Sequence, residues 1–320
     1  MRFERKPKPY AFIEFEGEIR KNPLLSHAEF KKDKYTGVLE TDLKALTPIH
    51  IGSGLFELAN NQVVKGFTML NGRPIIPGTS LKGVIRGVVE AITNPPSCVI
   101  IANREVREKL PRGLDRKCKV KEKHSEVCVT CSIFGTLGYR GRVNFTDAII
   151  RKGSLNIQEI PQLFQPRDNA PLYYNQKGRI RGRKFYFHGV PAKGKEPALV
   201  LAEGSTLSFK VFFENFSDQE LCLLFTAMGV IGGLKLKLGG GKPACLGTAE
   251  IIPRKLTYSF KGGKGFSLSF AQPDTLEKEG LKNEIERLSK QDGLINKKSY
   301  DNLRVIWKYP SERECADGPY

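Results

Sequence analysis

Two groups of residues in this 320-residue chain have the types and spacing to do chemistry. The first is a set of four cysteines, Cys98, Cys118, Cys128 and Cys131, that fall within 34 residues. The Cys128-x-x-Cys131 spacing lets two thiolates reach one tetrahedral ion, and two more distant ligands close the site. Cys98 and His124 compete for the fourth position. The stretch from Arg104 to Lys123 is too polar to build its own core, so a metal staple is physically useful there. A complete set of four protein ligands predicts structural zinc rather than catalytic zinc. The second group is Gly232-Gly233-Leu234-Lys235-Leu236-Lys237-Leu238-Gly239-Gly240-Gly241-Lys242, with five glycines, three lysines and no acid in eleven residues. Glycine permits φ > 0 and close backbone approach, and lysine supplies diffuse positive charge. Such a loop suits the backbone of a polyanion better than a base or a small apolar ligand.

Other stretches extend the same chemistry. Pro77-Gly78-Thr79-Ser80-Leu81-Lys82-Gly83 opens a helix whose free N–H groups can meet an anion, with Ser80, Lys82 and Arg86 adding side-chain donors. Thr79 is the expected N-cap. Lys177-Gly178-Arg179-Ile180-Arg181-Gly182-Arg183-Lys184 carries five basic residues in eight, flanked by Tyr173, Tyr174, Phe185, Tyr186 and Phe187. Alternating Arg179, Arg181 and Arg183 put charge on one face of an extended hairpin, and aromatics beside it can stack on bases. His27 and His50 form no Ser/His/Asp arrangement; His50 ends a strand, where it is a structural residue or a ligand contact.

The whole-chain balance agrees. The 52 basic and 34 acidic side chains give a formal charge of +18, which attracts nucleic acid through its phosphates. No run of about 18 apolar residues marks a membrane span, and the start Met-Arg-Phe-Glu-Arg-Lys-Pro lacks an apolar leader, so a cytoplasmic protein is expected. In a cytoplasmic chain the remaining cysteines, Cys222, Cys245 and Cys315, are expected as free thiols and not as a disulfide framework.

The elements that must position these groups follow from periodicity. Residues 37–51 read as a strand, followed by a helix whose stripe is Leu81, Val84, Ile85, Val88, Val89 and Ile92. A polar insert at about 93–140 carries the cysteines. Strands follow at 141–150 and 206–214, the latter with Leu207, Phe209, Val211 and Phe213 on one face. Ser217 and Glu220 form a capping box for a second helix with the stripe Leu221, Leu224, Phe225 and Met228. A strand at 244–252 and a tail helix at 275–290 complete the set. The order β-α-β-β-α-β is that of an α+β, ferredoxin-like (RRM-like) split βαβ unit, with a second insert at about 160–200.

The ordered motifs resemble a known family. Leu46-Thr47-Pro48-Ile49-His50-Ile51-Gly52-Ser53-Gly54, then Ile76-Pro77-Gly78-Thr79-Ser80-Leu81-Lys82-Gly83, Cys131-Ser132-Ile133-Phe134-Gly135, Gly141-Arg142-Val143-Asn144-Phe145-Thr146-Asp147-Ala148 and the glycine loop are similar to the RAMP superfamily (repeat-associated mysterious proteins) of type III CRISPR effectors, above all the backbone subunits. The resemblance covers about 37–252. It implies a ferredoxin-like palm over 37–254 with a zinc-stabilised insert and a thumb-like β-hairpin at 160–200, flanked by extensions at 1–36 and 255–320. It also implies guide RNA and complementary target RNA as partners, together with other effector subunits, including copies or paralogues of this chain, in antiviral defence. The RNA contacts it implies are His50, Gly52, Ser53, Gly78, Thr79, Ser80, Lys82, Arg86, Arg179, Arg181, Arg183, Lys235, Lys237, Gly239, Gly240, Gly241 and Lys242. Some subunits of this kind cut target RNA with Mg or Mn and an aspartate between the His-Ile-Gly and Ile-Pro-Gly segments. Here that stretch, Leu55 to Lys65, has no aspartate. Asn60 or Asn61 is nearest, Glu57 is the only substitute, and a subunit that does not cut is expected. Asp147 is expected to be structural.

Overall fold

A computed structural model describes residues 8–31, 33–99, 104–111, 113–114, 118–121, 125–163, 171–260 and 274–316. Its largest sheet is antiparallel, in the order Leu236–Lys237, Thr248–Phe260, Tyr35–Ala45, Thr206–Phe216, Ala148–Lys152, Arg73–Ile76 and Met69–Leu70. Val143–Phe145 also pairs with Thr206–Phe216, and Asp274–Glu277 with Thr248–Phe260. Period-two alternation decides which face is covered. Leu207, Phe209, Val211 and Phe213 are buried, whereas Lys210 and Phe212 between them are exposed. The inward set shares one core with Leu39, Leu43 and the stripe Leu81, Ile85, Val88, Val89 and Ile92 of the Gly78–Ile92 helix.

Local chemistry sets both long helices. Ser217 and Glu220 form the capping box of Asp218–Ala227. That helix ends in a Schellman turn: Val230 N–H donates to the Phe225 carbonyl, Gly229 N–H donates to that of Thr226, and Gly229 has φ +77°. The glycine that ends the helix is therefore Gly229, and Gly232 and Gly233 belong to the next turn. The first helix starts differently from expectation. Pro77 is its N-cap residue, and the Gly78 N–H donates to Asp147 across 2.8 Å. Thr79 caps nothing and lies exposed in the first turn. A carboxylate from a neighbouring segment has taken the place that Thr79 was expected to fill.

Three other expectations are corrected by long-range pairing. The segment Leu55–Lys65 is no open loop: Gly52–Ala59 and Gln62–Phe67 form an antiparallel hairpin with Asn60 (φ +51°) and Asn61 (φ +57°) as its two-residue turn. Among the described residues the basic stretch forms only a short hairpin, in which Tyr174 bridges Ile180, and its second half pairs elsewhere. Gly182–Tyr186 pairs with Tyr10–Glu14, because Tyr10, Ile13 and Phe185 gain burial there. Cys245 and Cys315, expected free, are joined in a disulfide across 70 residues, brought together because the tail packs back beside the glycine loop. The two flanking segments are integral: Leu281, Leu288, Leu303, Ile306 and Trp307 all lie in the main core, and one strand runs through position 254 to Phe260.

Arg142 is the largest fully buried side chain. Its guanidinium pairs with Glu220 and donates to the carbonyls of Asn215 (2.6 Å) and Ser132 (3.3 Å). It thus joins the capped helix to the segment after the cysteines. Arg142→Ala would leave the half-buried Glu220 carboxylate without its cation and two carbonyls without their donor, so we expect a loss of about 2–4 kcal/mol in urea unfolding. A loss below about 1 kcal/mol would show that the pair is dispensable.

Candidate nucleic-acid interface

The first helix, the Gly182–Tyr186 strand, the glycine loop and Trp307 enclose a groove of about 430 Å³. On the helix side Thr79, Gly83 and Gly87 recur every four residues, so one helical face carries no side chain larger than threonine beside Ser80 and Val84. A Cβ at Gly83 would meet only open space. The opposite walls supply cations: Arg183, Lys184, Lys237 and Lys242.

Lys237 is the unusual member, only 2% exposed. It lies in the short strand Leu236–Lys237 paired with Thr248–Ala249, which fixes its direction. Burial, with Lys242 close by, pushes its ammonium down to about 7. Burial also lowers Lys242. Among the described residues no carboxylate pairs with either lysine. The Lys237 Nζ donates to Thr248 Oγ1 at 3.3 Å; Thr248 Oγ1 and His188 Nδ1 are 3.0 Å apart, and His188 Nε2 lies 3.0 Å from the Lys235 carbonyl. His188 is held neutral, pushed down to about 3 by burial and by Lys237, so it adds no competing charge.

The glycines hold this wall in place. Gly239 (φ +70°) and Gly240 run against the His50 segment, and the Gly240 N–H donates to the His50 carbonyl at 2.8 Å. Gly241 (φ +67°) precedes the turn Lys242–Ala244. His50 is buried beneath them, with Nδ1 donating to the Leu199 carbonyl at 2.7 Å.

The sequence-selected residues therefore divide. Thr79, Ser80, Arg183, Lys237, Gly239 and Lys242 line one groove, joined by Lys184 and Tyr186 from the basic stretch and its aromatic flank and by Trp307, which no motif singled out. Gly240 and Gly241 shape its loop. Gly52 and Ser53 begin the hairpin, outside the lining. Gly78 is buried and its N–H is already bound by Asp147. Lys82 donates to the Val143 carbonyl at 3.0 Å and is lowered by burial and by Arg86. Arg86 pairs with Glu90, Arg179 donates to the Glu108 carbonyl, Arg181 pairs with Glu14 and Lys235 with Glu250. These charges are engaged within the protein. Lys184 is held among the rings of Tyr10, Tyr173 and Tyr186 at 4.8–5.1 Å, a cation–π arrangement visible only once Tyr10–Glu14 is paired.

The four cysteines converge as well. All are buried, and their sulfurs lie within 4.8 Å of one another. The pairs Cys98–Cys131 and Cys128–Cys98 measure 3.3 and 3.7 Å. Four sulfurs about 2.3 Å from one ion stand about 3.8 Å apart, so the set fits a tetrahedral thiolate site. Among the described residues Val127 and the half-buried Ile19, Leu24 and Val120 pack around it, so the cysteines make up most of this small core as described. His124 lies outside the described residues. Glu57 is half-buried on the hairpin, and Asn60 occupies its turn. Leu55, Phe56, Leu58 and Val63 on that hairpin are exposed.

A family model for the RAMP superfamily matches residues 42–250. The chain belongs to the RAMP superfamily. No curated protein matches it in sequence. Among solved structures it is similar to a chain from the crystal structure of the Csm3-Csm4 subcomplex in the type III-A CRISPR-Cas interference complex. That likeness covers 80% of this chain and 96% of the other at 19% identity and a TM-score of 0.38, and it places no residue of this RAMP-superfamily chain.

The lowered Lys237 has a consequence for stability. Its folded pKa of about 7 lies below the ordinary lysine value of 10.5, so between those values the unfolded chain holds a proton that the folded chain lacks. Stability from this group therefore rises with pH above about 7, and its full penalty is present below. Lys237→Met should stabilise the protein by on the order of 2–4 kcal/mol at pH 6 in denaturant unfolding, with the gain shrinking toward pH 10. A gain that does not change with pH would refute the assignment.

Proposed function

We propose that this RAMP-superfamily protein is a guide-RNA-binding backbone subunit of a type III CRISPR effector, acting in the cytoplasm beside other effector subunits. The observation that carries the reading is the groove in which Lys237 and Lys242 stand without a carboxylate partner, opposite a helix face of Thr79, Gly83 and Gly87. A chain of phosphates suits it: the anionic backbone supplies the missing counter-charge, and the small residues admit a sugar-phosphate strand close to the helix. Tyr186 and Trp307 offer rings at the groove wall for bases. The strand order Thr248–Phe260, Tyr35–Ala45, Thr206–Phe216, Ala148–Lys152, with a helix in each crossover, supports a ferredoxin-like palm. Sequence would be read by guide–target pairing and not by the protein. The hairpin Gly52–Phe67 is a better thumb than the basic stretch, because its Leu55, Phe56, Leu58 and Val63 are exposed while Arg179, Arg181 and Arg183 are engaged within the protein.

Cutting is not part of this role. Asn60 is a turn residue selected for φ > 0, and Glu57 has no acidic partner on its hairpin to share a metal. In a binding titration with single-stranded RNA, Lys237→Gln and Lys242→Gln should each weaken affinity about tenfold regardless of sequence, and each should reduce the log–log salt slope by about 1. An unchanged slope would sink the phosphate assignment. Regularly spaced cuts in complementary RNA with Mg or Mn, lost in Glu57→Ala, would replace it with an endoribonuclease.

The cysteine set holds structural zinc in this reading. Elemental analysis should find about one zinc per chain, and Cys128→Ser should lower both the metal content and the melting temperature. Full stability in a metal-free preparation would leave the four thiols as ordinary core residues.

A further inference from the structure

Between the thiolate set and the groove runs an unbroken chain of charged contacts. Arg86 Nη2 lies 3.6 Å from Cys131 Sγ, and its Nη1 donates to the Gly135 carbonyl at 2.9 Å, just past the last cysteine. Its Nε donates to Glu90 Oε1 at 2.8 Å. The other oxygen of Glu90 pairs with Arg183 Nη2, and Arg183 lines the groove. The Glu90 side chain is only 3% exposed, so its two arginine partners are fixed by geometry and not exchanged with solvent. The Arg183 Nε is buried with no partner, so Glu90 is what holds this guanidinium.

We infer that Arg86 and Glu90 are positioning residues that couple metal occupancy of the four-cysteine site to the anion-binding state of the groove. Four thiolates on one divalent ion carry a net charge of −2, which the Arg86 guanidinium partly offsets. On metal loss the Cys128–Gly135 segment loses its anchor, and Arg86 loses both its sulfur and its carbonyl partners. Glu90 is left with a mobile Arg86 in place of a fixed one, and the carboxylate that holds Arg183 is less firmly placed at the groove wall. Coupling of this kind is reciprocal, so whatever metal does for RNA binding, RNA does for metal retention. The inference rests on the proposed RNA-binding role only for the identity of the groove's ligand.

The test follows zinc release to a chromophoric chelator from the full-length protein, first without RNA. Arg183→Gln lies at the far end of the chain from the cysteines, yet it should release zinc at least about fivefold faster. Arg304→Gln, at an exposed position on the tail helix Lys297–Ile306 and off the chain of contacts, should release at the wild-type rate. Arg86→Lys keeps the charge but cannot reach Cys131, Gly135 and Glu90 together, and should release as fast as Arg183→Gln. Wild-type release from Arg183→Gln, or equal acceleration by Arg304→Gln, overturns the coupling. The second arm adds a 30-nucleotide uridine homopolymer as the probe. It should slow wild-type release, and should have no such effect on Arg86→Lys. RNA that binds while leaving wild-type release unchanged also overturns the coupling. Absence of RNA binding together with a fast Arg183→Gln would instead sink the functional reading and leave the coupling standing.

Discussion

An ammonium buried without a carboxylate is the constraint on which the groove depends. Lys237 is kept out of water by the glycine loop, by Trp307 and by the neutral His188, and among the described residues its ammonium donates to a threonine hydroxyl. A buried charge of this kind is unfavourable in the folded protein alone and is stabilised when an anion enters. The surrounding backbone is built to hold it there. Leu236–Lys237 is pinned to Thr248–Ala249, Gly239 and Gly240 lie against the His50 segment, and a disulfide fixes Cys245 immediately after the Lys242 turn.

A second buried charge has the opposite character. Glu90 is fully compensated by Arg86 and Arg183, and it joins the first helix to the cysteine-bearing segment on one side and to the Gly182–Tyr186 strand on the other. Arg142 does the same for the second helix through Glu220. Two inserts that have little core of their own are thus tied to the central sheet by buried ion pairs. The cations of the basic stretch are mostly absorbed in this role, which leaves the groove to a smaller set than the net charge of +18 suggests.

What was legible in the sequence is what local chemistry determines. The stripe from Leu81 to Ile92, the Ser217–Glu220 box and the Cys-x-x-Cys pair declare themselves within a dozen residues, and the structure shows each as a helix face, a cap and a buried thiol cluster. Partners far apart in the chain left no such trace. Nothing near Arg86 announces Glu90's second arginine at position 183, and nothing near Cys245 announces Cys315. Asp147 replaced Thr79 as the helix cap because the fold brought a carboxylate to Gly78. The hairpin turn is legible too: Asn60-Asn61 between two apolar runs is a type I′ signature, as is Asn71-Gly72.

The proposed RNA path lays phosphates against Lys237 and Lys242, and the structure of this protein with a bound single-stranded RNA tests it. Phosphate oxygens within hydrogen-bond reach of both ammonium groups, with the strand following Thr79, Gly83 and Gly87, is the predicted result. RNA bound on the open sheet face around Phe212, with the groove empty, would contradict it.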